Sequence, residues 1–204
     1  LASQMDRVQR NSVSVSRRIL RYAQINASLS NARIDPQYQY TFQPEEGQGL
    51  SQYTNTVLMV NLRYAYNEKL LHSLGQRISM GTRYPVISLS YARGLKDVFN
   101  GQFTYHKLEA RLEESLYIRN LGTSKFQINA GYIDSSLPYG LMYTGEGSYV
   151  RNWSVLIRNS FQTVTPYEFL SDRYADIHYA HDFGSLLLHI GRWAPSITLH
   201  QNLG

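Results

Sequence analysis

The sequence predicts an all-β protein, an antiparallel transmembrane β-barrel or the C-terminal part of a larger one. Apolar and polar residues alternate with a period of two through several long segments, the pattern of strands with one apolar face. No apolar run reaches the roughly 20 residues of a membrane-spanning helix. Tyrosine occurs 17 times in 204 residues. Many of these tyrosines lie near predicted strand ends, which predicts the aromatic girdles of a membrane barrel. Examples are Tyr53, Tyr64, Tyr91, Tyr105 and Tyr143.

The clearest strand is predicted at residues 103–118. Leu108, Ala110 and Leu112 share one parity, whereas Lys107 takes the other. Alternation over about sixteen residues exceeds the usual strand of roughly 5–6 residues and fits a tilted strand that crosses a bilayer. A helix fits poorly, because at 100° per residue charged side chains would lie beside the leucines.

The remaining predicted strands bring the total to about eight to ten, most of them consecutive hairpin partners. Clear alternation marks segments 57–66, 86–91, 125–133, 153–161 and 175–179, and weaker candidates are 13–25, 28–34, 186–190 and 197–199. Parity then predicts which side chains face lipid. These are Leu58, Val60, Leu62, Leu108, Leu112 and Leu116.

Length and composition restrict the alternatives. One domain, residues 1–204, is predicted, because the pattern of alternation gives no hint of a second domain. The absence of cysteine excludes disulfides and thiolate metal sites. The chain starts without an export signal and ends in what looks like mid-strand, so we expect a piece of a longer precursor.

The basic residues do not predict nucleic-acid binding. The net charge is +5, but the basic residues are scattered and often neighbour acidic ones. Arg17, Arg18 and Arg21 form the one cluster, which at a strand end predicts contact with anionic headgroups or water. The expected partners are outer-membrane lipid, lipopolysaccharide and other envelope proteins, and no nucleic acid.

Charged residues on the polar faces of the predicted strands form a candidate lumenal network. Opposite charges that neutralise one another suit a barrel interior. The candidates are Arg63, Lys107, Glu109, Arg111, Glu113, Asp176 and His178.

Catalytic alternatives stay open for part of this set. His178 with Asp176 or Asp182 would form a lipase-like triad if a neighbouring strand supplied a serine. Glu109 and Glu113 share a face, and paired carboxylates also serve glycosidases. The histidines show no metal-ligand spacing and the glycines no nucleotide-binding pattern, so neither a metal nor a cofactor is expected.

Several motifs resemble a known family. They are Tyr84-Pro85-Val86 with Arg93-Gly94, Leu137-Pro138-Tyr139 with Gly145 and Gly147, and Glu168-Phe169 with Ser171-Asp172-Arg173-Tyr174. Over residues 60–190 the chain resembles the C-terminal barrel of the Gram-negative carboxypeptidase-like regulatory-domain-containing outer-membrane proteins. The resemblance implies an outer-membrane barrel that follows a signal peptide and a small β-sandwich domain. No peptidase residue is carried over.

More distantly, such barrels are similar to the surface-antigen and assembly-factor superfamily of outer-membrane insertases and secretion pores. That superfamily has an Arg-Gly pair followed by an aromatic residue, whereas Leu95 follows the pair in this chain. The family resemblance also implies a recurring rim motif of Glu168, Asp172 and Arg173. We expect its charges to pin a loop through charge-assisted hydrogen bonds.

The sequence therefore predicts a non-enzymatic protein of the bacterial outer membrane that acts in envelope transport or biogenesis. One alternative is a soluble β-barrel that binds a lipid or glycan, and another is an outer-membrane hydrolase that uses His178. The direction of the apolar face distinguishes the membrane protein from the soluble barrel. A membrane barrel points this face outward, whereas a soluble barrel buries it.

Overall fold

The computed structural model describes residues 5–44, 49–73, 76–144, 170–187 and 196–204. Within these ranges the chain is all-β apart from one 3₁₀ helix, Tyr139–Leu141. Eight strands form one large antiparallel sheet, and four short strands form two small two-stranded sheets. The predicted all-β antiparallel fold is confirmed. Among the described residues, no helix has the length and apolar character needed to cross a membrane.

The strands follow one another along the chain as antiparallel neighbours. In chain order they are β1 (Asp6–Leu20), β2 (Ala23–Pro36), β3 (Tyr53–Ala65), β4 (Leu70–Ser73), β5 (Gln76–Ser79), β6 (Val86–Gly94), β7 (Tyr105–Ile118), β8 (Gly122–Ile133), β9 (Tyr143–Thr144), β10 (Leu170–Ser171), β11 (Arg173–Asp182) and β12 (Thr198–Leu203). The large sheet has the order β1-β2-β3-β6-β7-β8-β11-β12, and in the described part of the chain β1 and β12 are its two ends. The pairs β4–β5 and β9–β10 lie within its connections.

Two of the weaker strand predictions need correction. The predicted strand 13–25 is wrong, because a turn at Arg21 and Tyr22 divides it into β1 and β2. This turn lacks the glycine, proline and asparagine that usually indicate a turn. In the predicted strand 186–190, Leu186 and Leu187 lie in a bend. The rest of that segment and the predicted strand 153–161 lie outside the described residues.

One face of the large sheet, the outer face, is apolar and exposed. A single cross-strand row on six neighbouring strands shows this, because all of its members are at least 37% exposed. The row is Tyr64, Ile87, Leu112, Ile128, Ile177 and Leu203. Leu58, Leu108 and Leu116 are also exposed, with Val60 and Leu62 half-buried on the same face. The predicted parity of these side chains is confirmed.

The opposite face, the inner face, is polar. Moving one residue along each strand turns the side chain to the other side of the sheet. The corresponding row on seven strands is Arg18, Gln24, Arg63, Ser88, Arg111, Asn129 and Asp176. One register therefore separates an apolar surface from a charged one.

The connections differ between the two ends of the sheet. At one end, the turn rim, the chain makes tight turns at 21–22 and 119–121 and longer connections at 66–85 and 183–197. Asn120 at φ 66° and Gly122 at φ 114° adopt left-handed conformations in the 119–121 hairpin, which glycine and asparagine tolerate best. The other end, the loop rim, carries the connections 37–52, 95–104 and 134–172.

The hydrophobic core lies on the inner face at the loop rim, where these connections fold back over the strands. Tyr53, Tyr105 and Tyr143 are at most 8% exposed in this core. Phe103 lies among them with its ring centroid 5.7 Å from that of Tyr53. The girdle prediction is therefore wrong for these three tyrosines, because loop side chains cover them. The buried members are Ala32, Ile34, Tyr53, Val57, Ala92, Phe103, Tyr105, Ile133, Leu137 and Tyr143.

Replacing Phe103 with alanine tests the core. We expect the free energy of unfolding to fall by about 3–5 kcal/mol, because the ring is lost and a cavity remains. Tyr117→Ala is the matched control, since Tyr117 is 77% exposed and its loss should change stability by less than about 0.5 kcal/mol. Equilibrium urea unfolding of both variants measures the difference, and equal effects would contradict this location of the core.

Candidate functional site: a charged band on the inner face

All seven predicted network residues lie on the inner face. Strand β7 carries four of them at alternate positions: Lys107, Glu109, Arg111 and Glu113. The cross-strand register aligns Arg111 with Asp176 through Asn129, and Glu113 with His178 through Gln127. Arg63 shares the row of Arg111. These residues and the polar side chains bonded to them are called the inner-face band.

Asn129 connects the basic and acidic parts of the band. Its Oδ1 accepts hydrogen bonds from Arg111 Nε at 2.9 Å and from Gln127 Nε2 at 3.1 Å. Its Nδ2 donates to Asp176 Oδ1. Asn129 is only 2% exposed, so these bonds replace water for an amide with little access to solvent. Asn129 was not among the predicted network residues, although it shares the parity of Gln127 and Gly131 and therefore lies on the polar face of β8.

His178 contacts one amide and one carboxylate on the inner face. Its Nε2 lies 3.1 Å from Asp176 Oδ1, and its Nδ1 lies 2.9 Å from Asn202 Oδ1. The residues paired with His178 across the sheet are Gln127 and Asn202, neither of which carries a hydroxyl. The geometry around His178 thus supports a polar network better than a serine triad.

His181 lies on the outer face, opposite to His178, with its Nδ1 2.7 Å from Ser124 Oγ. Its Nε2 lies 3.0 Å from the carbonyl oxygen of Leu121. Both side chains are buried, and the contact with Leu121 ties the end of β11 to the 119–121 turn. Within the described ranges no three His, Cys, Asp or Glu side chains form a group that could hold a metal ion.

Lys107 joins the band to the core at the loop rim. Its Nζ lies 3.3 Å from Glu109 Oε1 and 3.9 Å from the ring centroid of Tyr143. The hydroxyl of Tyr143 donates to the backbone oxygen of Leu108 at 2.8 Å. A cation over an aromatic ring is attracted to its negative face. Charge and packing thus fasten the 134–144 segment to β7.

Glu68 closes the other end of the band at the turn rim. Both of its oxygens accept hydrogen bonds from Arg63, Nη2 to Oε1 at 2.6 Å and Nη1 to Oε2 at 3.1 Å. Ser79 Oγ donates to Oε1 at 2.6 Å, and Arg18 Nη2 lies 3.9 Å from Oε2. The hydrogen bonds from Arg63 lower the pKa of Glu68 below its ordinary value, and that from Ser79 acts in the same direction. Glu68 was missed because it lies in a connection, where parity predicts nothing.

The rim motif is only partly within the described residues. Glu168 and the loop glycines Gly145 and Gly147 lie outside them. Arg173 Nε and Asp172 Oδ1 are 3.7 Å apart, with both side chains more than half exposed. Such exposed pairs contribute little to stability. A backbone hydrogen bond links this motif to β8 more strongly, since Ile133 N donates to Asp172 O at 2.7 Å.

The band lines a concavity of about 340 Å³ on the inner face. Arginine and amide donors stand opposite carboxylate acceptors in it, so it can hold water or small polar solutes. The lining includes Gln24, Asn26, Asn61, Arg63, Ser88, Ser90, Glu109, Arg111 and Glu113.

Acid should weaken the Glu68 contacts. Folding lowers the pKa of Glu68 from its unfolded value of 4.5. The ionised carboxylate therefore stabilises the fold at pH values above 4.5, and this stabilisation is lost as the pH falls through the lower pKa of the folded state. We expect Glu68→Gln to be less stable than wild type at neutral pH and to lose less stability between about pH 5 and pH 3. Urea midpoints across this range measure the effect. Glu114→Gln, which keeps the Arg63–Glu68 pair, should retain the wild-type acid loss, and an unchanged profile for Glu68→Gln would refute the assignment.

Removing the Asn129 amide should be costly. Asn129→Ala leaves Arg111 and Asp176 without this partner, so we expect a loss of at least about 2 kcal/mol in the free energy of unfolding. Asn61→Ala, half-buried on the same face, is the control and should cost less than about 0.5 kcal/mol. Urea unfolding compares the two variants, and equal stability would show that Asn129 does not connect the band.

Comparison with known proteins agrees with the sheet architecture. No curated protein matches the sequence. Twenty chains of solved structures are similar to this one. Among them is BamA from Haemophilus ducreyi lacking POTRA domains 1–3, with a TM-score of 0.60 and 8% sequence identity. The alignment covers 93% of this chain and 40% of the BamA chain, so this chain spans less than half the length of that protein.

At 8% identity this similarity concerns the fold alone. The sequence comparison is more specific, because residues 12–191 match the C-terminal domain of a family of unknown function, DUF5686. This match covers most of the 204 residues. The chain therefore belongs to the DUF5686 family, as part of its C-terminal domain.

Proposed function

We propose that this chain is a membrane-embedded part of a bacterial outer-membrane β-barrel, non-enzymatic, with a role in envelope transport or biogenesis. The observation that carries the proposal is the exposed apolar row on six neighbouring strands, directly opposite the polar inner-face row. The similarity to the BamA barrel supports the same fold.

The outer face is suited to lipid rather than water. Soluble monomers rarely expose large contiguous apolar patches, because exposed apolar surface is unfavourable in water. A bilayer removes this cost, and the paired strands satisfy the backbone polar groups that lipid cannot. The alternation of apolar outside and polar inside is the pattern of membrane barrels.

The soluble lipid-binding barrel is the weaker alternative. In such a protein Leu108 and Leu112 would lie inside, whereas they are 53% and 37% exposed. The hydrolase alternative is also weaker, because the strand neighbours of His178 provide amides rather than a serine hydroxyl.

The inner-face band suits a filled lumen better than an open conduit. Its charges are largely joined in pairs, and loop side chains cover the loop-rim end of the inner face. We propose that this segment alone forms no ion-selective pore and that substrate specificity resides in other parts of the protein. A preceding carboxypeptidase-like regulatory domain stays a prediction, as do the expected partners: outer-membrane lipid, lipopolysaccharide and other envelope proteins, without nucleic acid.

Adjacent residues on β7 provide a direct test of the membrane proposal. Leu112→Arg should destabilise the protein folded into phosphatidylcholine vesicles by about 2–4 kcal/mol if the residue lies near the midplane, because a charge then faces hydrocarbon. Arg111→Leu should have a much smaller effect, since it alters the inner face. Urea titration of folding into vesicles measures both variants.

The opposite ranking would contradict the membrane proposal. The localisation has a separate test, in which the full-length protein is followed through fractionation of the cell envelope. Recovery in the outer-membrane fraction, dispersed only by detergent, is the expected result. Recovery in a soluble fraction would exclude the proposed function.

A further inference from the structure

The loop of residues 95–101, called the Phe99 loop, has an unusual backbone. Asp97, Phe99 and Asn100 all have positive φ, at 65°, 47° and 61°. Side chains other than glycine disfavour this left-handed region, and an aromatic residue is an uncommon occupant. Such conformations persist only where the surroundings determine them, and they concentrate at binding sites.

Hydrogen bonds from β2 and β3 hold the Phe99 loop in place. Leu95 N donates to Thr56 O at 2.8 Å, and Thr56 Oγ1 donates to the oxygen of Val98 at 2.7 Å. Asn31 Nδ2 donates to the oxygen of Phe99 at 2.9 Å. Thr56 is fully buried by these contacts. The loop is thus fixed against the outer face of the sheet.

The Phe99 loop lies where the outer face changes from apolar to polar. Val13, Leu29 and Leu58 form one exposed apolar row. The next rows toward the loop rim are Asn11, Asn31, Thr56 and then Gln9, Arg33, Thr54. Beside this boundary the loop presents Phe99, 66% exposed, and Val98, 39% exposed. In a membrane protein this level corresponds to the headgroup region.

A polar groove lies between the Phe99 loop and the first two strands. It has a volume of about 440 Å³, and its side chains are mostly amides with one guanidinium. Asp97, the one carboxylate of the loop, does not line it. The lining is Gln9, Asn11, Asn31, Arg33, Gln52, Tyr53, Thr54, Phe99, Asn100 and Gln102.

We propose that this groove binds the phosphorylated sugar headgroup of an outer-leaflet lipid, with Phe99 inserted beside the acyl chains. Amide side chains both donate and accept hydrogen bonds, as sugar hydroxyls do. The guanidinium of Arg33 suits phosphate. Its Nη2 donates to Gln52 Oε1 at 3.0 Å, which orients it in the groove.

The location of the groove fits the same ligand. It lies at the loop rim, where none of the connections 37–52, 95–104 and 134–172 is a tight turn, whereas two of the four connections at the turn rim, 21–22 and 119–121, are tight turns. Membrane barrels have short periplasmic turns and longer extracellular loops, which places the groove beside the outer leaflet. The inference rests on the proposed membrane location, so its test must separate the two.

The test compares lipids on the folded 204-residue protein. Insertion into phosphatidylcholine vesicles is scored first by protection of the strands from protease. Native mass spectrometry in detergent then measures retention of lipid A, a phosphorylated glucosamine lipid, against phosphatidylglycerol, an anionic lipid without the aminosugar. We expect lipid A to bind about tenfold more tightly, and Arg33→Gln to weaken it about tenfold through loss of charge-assisted hydrogen bonds.

Matched variants and a soluble competitor complete the experiment. Arg119→Gln, an exposed arginine at the turn rim, should leave lipid A binding unchanged. Phe99→Ala should weaken lipid A and phosphatidylglycerol alike, because its contact is apolar. Free glucosamine 1-phosphate should bind at least about tenfold more weakly than lipid A, since it lacks acyl chains.

The outcomes separate the groove from the membrane proposal. A protein that inserts into vesicles but retains both lipids equally, or whose Arg33→Gln variant binds lipid A as wild type does, would refute the groove site alone. Free glucosamine 1-phosphate that bound as tightly as lipid A would refute the lipid source. Failure to insert into any vesicle would overturn the proposed function and the groove site together.

Discussion

The register between neighbouring strands is the constraint on which the rest of the structure depends. Side chains alternate across a pleated sheet, so a slip of one residue would exchange the outer and inner faces of a strand. On β7 such a slip would exchange Leu112 with Arg111. The hydrogen-bonded pairs of β7 with β6 and β8 hold Leu112 between Ile87 and Ile128, and Arg111 between Ser88 and Asn129. The apolar outer face and the charged inner face therefore have a single structural cause.

Different interactions stabilise the two ends of the inner face: ion pairs at the turn rim and apolar packing at the loop rim. At the turn rim, Glu68 neutralises Arg63 and reaches Arg18, so that β1 and β3 are both joined to the connection between β3 and β6. At the loop rim, packing dominates, and the aromatic core covers the ends of the strands. Lys107 connects the charged residues to the aromatic core, because it pairs with Glu109 and also contacts the ring of Tyr143. The inner face is thus polar in the middle of the strands and apolar where the loops fold back over it.

The sequence predicted the parts of this structure that follow from periodicity. Strands β3, β6, β7 and β8 and the faces of Leu112 and Arg111 were predicted because alternation directly reports which side a residue occupies. The turn at Arg21 and Tyr22 was not, since its residues lack turn chemistry. Tyr53, Tyr105 and Tyr143 were misplaced for a different reason. Parity assigns a side chain to a face, but it does not indicate where a distant loop folds over that face. Glu68 and the Asn31–Phe99 contact were inaccessible for the same reason, because each depends on how a connection folds back onto the sheet.

The proposed contact between lipid and the outer face of the sheet is directly measurable, because the chain has no native cysteine. Single cysteines at Leu89 and Ile128 on the outer face, and at Ser90 on the inner face, would carry nitroxide labels in the bilayer-reconstituted protein. Collision with molecular oxygen, which concentrates in hydrocarbon, is then compared with collision with a water-soluble nickel complex. We expect collision with oxygen to dominate at 89 and 128, and collision with the nickel complex to dominate at 90. Nickel accessibility at 89 and 128 equal to that at 90 would contradict it.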